Sequence, residues 1–112
     1  MAQTNKATEI GFEIVALAGD ARSIYLECLQ NLKESSANDS EAVIEKVRAS
    51  MKEAEDLLNE CHVKQTDMLQ DEARGIDQPH SYLMVHAQDH LMTTILLKEL
   101  LESFIDLYSK VK

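Results

Sequence analysis

The stretch Leu91-Met92-Thr93-Thr94-Ile95-Leu96-Leu97-Lys98-Glu99-Leu100-Leu101-Glu102-Ser103-Phe104-Ile105-Asp106-Leu107 decides the fold. Ten of its seventeen residues are apolar. At about 100° per residue they spread over an arc of more than about 200°, while Lys98, Glu99, Glu102 and Asp106 fall within about 100° on the opposite side. A helix of a three-helix monomer needs only one apolar stripe. The surplus predicts a second buried surface, most simply another subunit.

Working outward, the same periodicity runs through the rest of the chain. Ile10, Ile14, Leu17, Ala21, Ile24, Cys28 and Leu32 step by three and four, and so nearly do Val43, Val47, Met51, Ala54, Leu58, Cys61 and Met68, with Gln65 in the one skipped position. Two breaks separate the segments. Lys33 to Ser40 is polar and rich in cap formers, with Asn38 placed three residues before Glu41 as at a helix start. Gly75 to Pro79 combines a residue suited to ending a helix with one suited to the first turn of the next. The pattern predicts an all-α fold: an antiparallel three-helix bundle running up-down-up, with helices over roughly 5–34, 39–73 and 79–111, each about 45 Å long.

Length and composition agree. One hundred and twelve residues fit a single domain over 1–112, and three glycines and one proline leave little material for a turn-rich β architecture. Eleven basic against twenty acidic side chains give a formal net charge of −9, which argues against nucleic acid and against an anionic membrane surface. No apolar run approaches the roughly 20 residues of a membrane helix, and the start of the chain lacks a basic segment followed by an apolar one. A cytoplasmic protein is expected. Cys28 and Cys61 fall inside helical patterns and read as packed free thiols.

The informative residues precede the apolar stretch. His86, Asp89, His90 and Thr93 fall in an arc of roughly 100° centred on the apolar face; His86, Thr93, Leu100 and Leu107 are seven apart, as are His90, Leu97 and Phe104. Burying a carboxylate and two imidazoles without partners costs several kcal/mol, so the cluster needs a hydrogen-bond network, a ligand or a chemical task. Three readings stand side by side. The first is a satisfied buried network. The second is a zinc site, since histidines at i and i+4 chelate well, although Ala87 stands where a metalloprotease helix carries its general base. The third is a nucleophilic histidine, accepting a phosphoryl group on one nitrogen while a neighbour holds the other.

Val85-His86-Ala87-Gln88-Asp89-His90-Leu91-Met92-Thr93-Thr94 resembles the active-site signature of the lactose/cellobiose class of enzyme IIA, from the bacterial phosphoenolpyruvate-dependent phosphotransferase system. Gly11-Phe12-Glu13-Ile14-Val15-Ala16-Leu17-Ala18-Gly19-Asp20-Ala21-Arg22-Ser23 resembles the same family. So do Cys61-His62 and Gln65-Thr66, where the family more often has Ala before the His. The resemblance implies a homotrimer of three-helix subunits. It implies that His86 is phosphorylated by the phosphocarrier protein HPr and hands the group to a cysteine of the cognate enzyme IIB. It further implies that Asp89 of each chain points to the threefold axis, where three carboxylates share a divalent cation, with magnesium the expected ion. Three like charges converging in a dry interface repel, and a hard cation with oxygen ligands relieves them.

His90, one turn beyond His86, is the candidate to position it. Gln65 is a second candidate, offering an amide from the second helix, although a core hydrogen bond to Thr93 or Thr94 fits the same position. Gln88 falls on the charged side of the wheel and receives no role. His62 reads as a surface or packed residue, His80 as an exposed residue at a helix start, and Met51, Met68, Met84 and Met92 as core or interface filler. Met84 and Val85 suit a docking patch beside His86. Val85 to His90 looks closer to the cellobiose and diacetylchitobiose members, and the first-helix segment to the lactose members. Set against the phosphocarrier is a non-enzymatic helical adaptor, or a metal-binding bundle using His86 and His90.

Overall fold

A computed structural model describes residues 6–36, 38–77 and 81–111. They form α1 (Lys6–Glu34), α2 (Ser40–Ala73) and α3 (Tyr82–Val111). The α1 and α2 ends follow the expected bounds within a residue wherever they are described, whereas α3 starts later than expected. Pro79 and His80 lie outside the described residues. Ser81 is not helical and caps the helix instead: Met84 N–H donates to Ser81 Oγ at 3.0 Å and Val85 N–H to the Ser81 carbonyl at 3.2 Å. A serine hydroxyl satisfies one of the amides that a first turn leaves without a partner.

The start of α2 also differs. Asp39, not Asn38, occupies the cap position, and its carboxylate makes no bond to the helix. It turns back and accepts from Ser36 N–H at 2.8 Å and Ser36 Oγ at 3.2 Å, closing the loop rather than the helix. The far end of α2 follows expectation. Gly75 takes φ +88, its N–H donates to Glu72 O, and Ile76 N–H donates to Asp71 O, both at 3.0 Å. This is the paired C-terminal closure that a left-handed residue permits.

The path is up-down-up. Cys28 Sγ lies 3.8 Å from the Val47 carbonyl and Cys61 Sγ 3.8 Å from that of Ile14, so α2 runs antiparallel to α1. Lys6 confirms the pairing at the open end, 2.9 Å from Asp67 and 3.0 Å from Asp71. Gly11 sits against Leu83 and Met84, which starts α3 alongside the beginning of α1. Helix α1 packs along both of the others, while α2 and α3 touch each other little. The bundle measures 59 × 27 × 19 Å.

The core stripe of α1 is Ala7, Ile10, Ile14, Ala18, Ala21, Tyr25, Cys28 and Leu32, all buried. Leu17 and Ile24 flank it, only partly buried. The sequence pattern passed over Ala18 and Tyr25 because neither is a strong hydrophobe, yet the small Ala18 lets helices approach and the Tyr25 ring fills the middle of the bundle. Both thiols are free and buried. Burial pushes the Cys61 thiol up to about 11, and the Cys28 thiol also upward, so both stay protonated and unreactive at neutral pH.

Candidate functional site

Helix α3 carries two faces. Ala87, Leu91, Thr94, Leu101 and Ile105 are buried against α1 and α2. On the other side Met92, Leu96, Leu100, Phe104 and Leu107 are 42 to 56% exposed. The exposed residues His86, Asp89, Thr93, Leu96, Leu100, Ser103 and Leu107 alternate by three and four along the helix. That is an unbroken a/d heptad pattern, as in a coiled-coil seam. The surplus hydrophobicity of α3 is therefore real and unused within one chain.

His86 and Asp89 sit at the polar start of this seam, both exposed, where the sequence had placed them on the inner face of an apolar stripe. The stripe is apolar but uncovered in the single chain, so neither residue is desolvated by its own bundle. His90, half-buried, faces inward from them. Its ring meets that of His86 edge to face, with centroids 4.7 Å apart and planes at 69°. Its Nδ1 is buried and has no hydrogen-bond partner among the described residues. The second heptad row splits: His90 and Leu97 are half-buried and only Phe104 is exposed.

Gln65 of α2 does reach α3, but its amide donates to Oε1 of Gln88, not to Thr93 or Thr94. Gln88 is thus half-buried between helices rather than turned to the charged side, and it joins α2 to α3 where they otherwise barely meet. A wheel drawn for α3 alone missed this, since the partner lies on another helix. The threonines bond to their own helix: Thr94 Oγ1 donates to His90 O at 2.6 Å, and Thr93 Oγ1 to Asp89 O at 2.6 Å. Their hydroxyls bridge the turn that holds the cluster.

The other candidates separate from this group. His62 is exposed on α2 and lines an open groove against α1 with Lys6, Glu13, Lys64 and Asp67, a set that excludes His86. Lys64 pairs with Glu13 across that groove. Of the expected docking pair only Val85 is exposed; Met84 is turned toward Gly11. Met51 and Met68 are core residues, and Met92 lies on the uncovered face.

Among the described residues no three His, Cys, Asp or Glu side chains of one chain stand close enough to hold a metal ion. Asp89 offers a single carboxylate, a hard oxygen ligand, on the exposed seam.

Three comparisons with known proteins bear on this geometry. Residues 9–109 match the family model described as "PTS system, Lactose/Cellobiose specific IIA subunit". The chain belongs to that IIA family. It is 46% identical over 101 residues to the lactose-specific EIIA component of Staphylococcus epidermidis, covering 90% of each chain. With that of Streptococcus mutans it is 46% identical over 105 residues, covering 94% of each. Among solved structures, the cellobiose-specific enzyme IIA of Bacillus anthracis superposes with a TM-score of 0.84 at 38% identity, covering 97% of this chain and 94% of that one. The chitobiose IIA of Escherichia coli, solved in complex with HPr, superposes with a TM-score of 0.62 at 29% identity over 98% of each. The protein is thus a IIA component of the lactose/cellobiose class, built as a three-helix bundle. No described helix is long and apolar enough to cross a membrane.

Proposed function

We propose that His86 is the phosphoryl acceptor of this IIA component, taking the group from phospho-HPr and passing it to the cysteine of a cognate enzyme IIB. The carrying observation is the exposure of the His86 imidazole beside His90, at the end of α3 where the seam is polar. A neutral ring nitrogen attacks phosphorus as the bond to the donor breaks. The return step forms the phosphorus–sulfur bond as the new phosphorus–nitrogen bond breaks, so the group moves without net oxidation. Such a transfer needs an accessible nucleophile and in-line approach more than it needs covalent help. His90 limits the rotation of the His86 ring by edge-to-face contact, and the Gln65–Gln88 pair fixes α3 against α2 beside it. HPr as donor is supported by the chitobiose IIA structure, which holds it.

The working unit in this reading is a homotrimer joined along the exposed α3 seam, with Asp89 of each chain at the axis and a divalent cation, magnesium, between the carboxylates. The strict heptad spacing and the exposed Leu96, Leu100 and Leu107 support the assembly. Uptake of a β-linked disaccharide is the end result. The motif from Val85 to His90 favours cellobiose or diacetylchitobiose, whereas the 46% identical relatives are lactose-specific. The proposal is therefore set at the level those sugars share.

The test is incubation with phosphoenolpyruvate, enzyme I and HPr, followed by intact mass measurement. An acid-labile gain of one phosphoryl group that disappears in His86→Ala is expected. No gain, or a gain that survives His86→Ala, overturns the proposal and returns His86 and His90 to an adaptor or metal-binding role.

A further inference from the structure

Gly11 lies well inside α1, on its buried face, where glycine is disfavoured relative to alanine because it gives up more backbone freedom on folding. Space explains its presence. A Cβ on Gly11 would stand 3.0 Å from Met84 Sδ, 3.1 Å from Leu83 Cγ and 3.3 Å from Leu83 Cδ2. Comfortable contacts between carbon atoms are about 3.5 to 4.0 Å. Gly19, further along the same helix, would meet nothing within 4 Å. The close approach is therefore particular to the place where α3 begins.

Two consecutive side chains press on the same point, so swinging one aside does not clear it. Both side chains, or the first turn of α3 that carries them, must give by a few tenths of an ångström. That turn is otherwise well fixed: Met84 N–H is held by Ser81 Oγ, and Ala87 is fully buried just beyond. His86 follows Met84 by two residues on the same rigid helix.

We propose that Gly11 is a positioning residue for phosphoryl transfer at His86. Lacking a Cβ, it lets the first turn of α3 seat against α1 at the depth that presents the His86 imidazole to its two protein partners. It acts through Leu83 and Met84 and touches no reacting atom. The inference rests on His86 being the phosphoryl acceptor.

The test compares initial rates of transfer from phospho-HPr at a temperature where circular dichroism shows every variant fully folded. Gly11→Ala is expected to slow transfer about fourfold, since a displacement of about 1 Å at a reacting group costs about a hundredfold and the shift needed here is a few tenths of that. Adding Leu83→Ala and Met84→Ala together to Gly11→Ala, which removes both contacts, should restore most of the rate, and Gly19→Ala should match the wild type. The ring 1H–15N signals of His86 should shift in Gly11→Ala and return in the triple variant, a response that general loss of stability does not produce. Wild-type rate in Gly11→Ala, or a loss that removing both side chains leaves in place, overturns the role of Gly11 while His86 remains the acceptor. Absence of phosphoryl uptake by the wild type overturns the His86 reading itself, and the positioning role with it.

Discussion

Replacing Leu100 with Glu should dissociate the proposed trimer while leaving the bundle folded. Met92, Leu96, Leu100, Phe104 and Leu107 are each about half exposed in the single chain, at 42 to 56%. Full burial of such a side chain contributes about 1.5 to 3 kcal/mol, so covering the remaining half contributes about 1 kcal/mol each. Leu100→Glu forfeits the leucine contribution three times and brings three carboxylates to one level of the seam, where each loses water at several kcal/mol. Size-exclusion chromatography with light scattering at micromolar concentration should report a trimer for the wild type and a monomer for Leu100→Glu. Asn59→Glu, on the exposed side of α2, is the matched charge control and should stay trimeric. A wild type that is monomeric under these conditions, or a Leu100→Glu variant of trimeric mass, refutes the seam as the interface.

In the proposed trimer, Asp89→Leu should leave an assembly whose thermal midpoint no longer responds to magnesium or to a chelator, because the three carboxylates proposed to share the cation are gone; dissociation of that variant in calorimetry or light scattering would instead make the metal a structural tie. The Tyr25 hydroxyl is fully buried with no hydrogen-bond partner among the described residues, and desolvation, reinforced by Glu55 and Glu102, pushes it up to about 12. Tyr25→Phe should therefore stabilise the fold by about 1 kcal/mol in urea titrations at fixed protein concentration, and a loss of stability would count against a bare hydroxyl. Folding favours the protonated forms of both Tyr25 and Cys61, so their share of stability is intact below about pH 9 and is lost as pH rises through about 11 and 12. Each raised group corresponds to roughly 2 to 3 kcal/mol across that window, and Tyr25→Phe should remove the upper part of the alkaline loss.

How much of this was legible in the sequence depends on whether the relevant neighbour lies on the same helix. The number of helices, the closure of α2 at Gly75 and the surplus face of α3 all follow from local periodicity, and they are present as read. Tyr25 and Ala18 were not, because a tyrosine and an alanine carry weak signals until the neighbouring helices are in place. Gln88 is the clearest case. Its position on the wheel of α3 points to solvent, but α2 brings Gln65 to it, and only the packing of two helices makes a pair of residues 23 apart in the chain. The start of α3 failed for a different reason: Pro79 is permissive for a first turn, whereas the Ser81 hydroxyl supplies a hydrogen bond, and a bond made outranks a strain avoided.

Neighbouring residues on α3 answer to different parts of the molecule, and this ties the fold to the reaction. Leu91 is fully buried in the bundle and Met92 is 54% exposed on the seam. Ala87 is buried while His86 and Asp89 on either side of it are exposed. A helix with one buried stripe has freedom to roll by a fraction of a turn; a helix that packs on α1 with one face and, in the proposed trimer, meets further copies with another does not. The inward face of α3 is set by Gly11, Leu91, Leu101 and Ile105, and the outward face then falls in place through the fixed 100° per residue. The nucleophile in the proposed reaction is thus aimed by the same packing that gives the chain its stability. The polar beginning of the seam fits the proposed reaction too: apolar side chains from Leu96 onward can hold chains together, while a phosphoryl acceptor at His86 has to stay open to two partner proteins in turn, so the part of α3 proposed to carry chemistry is the part where association contributes least.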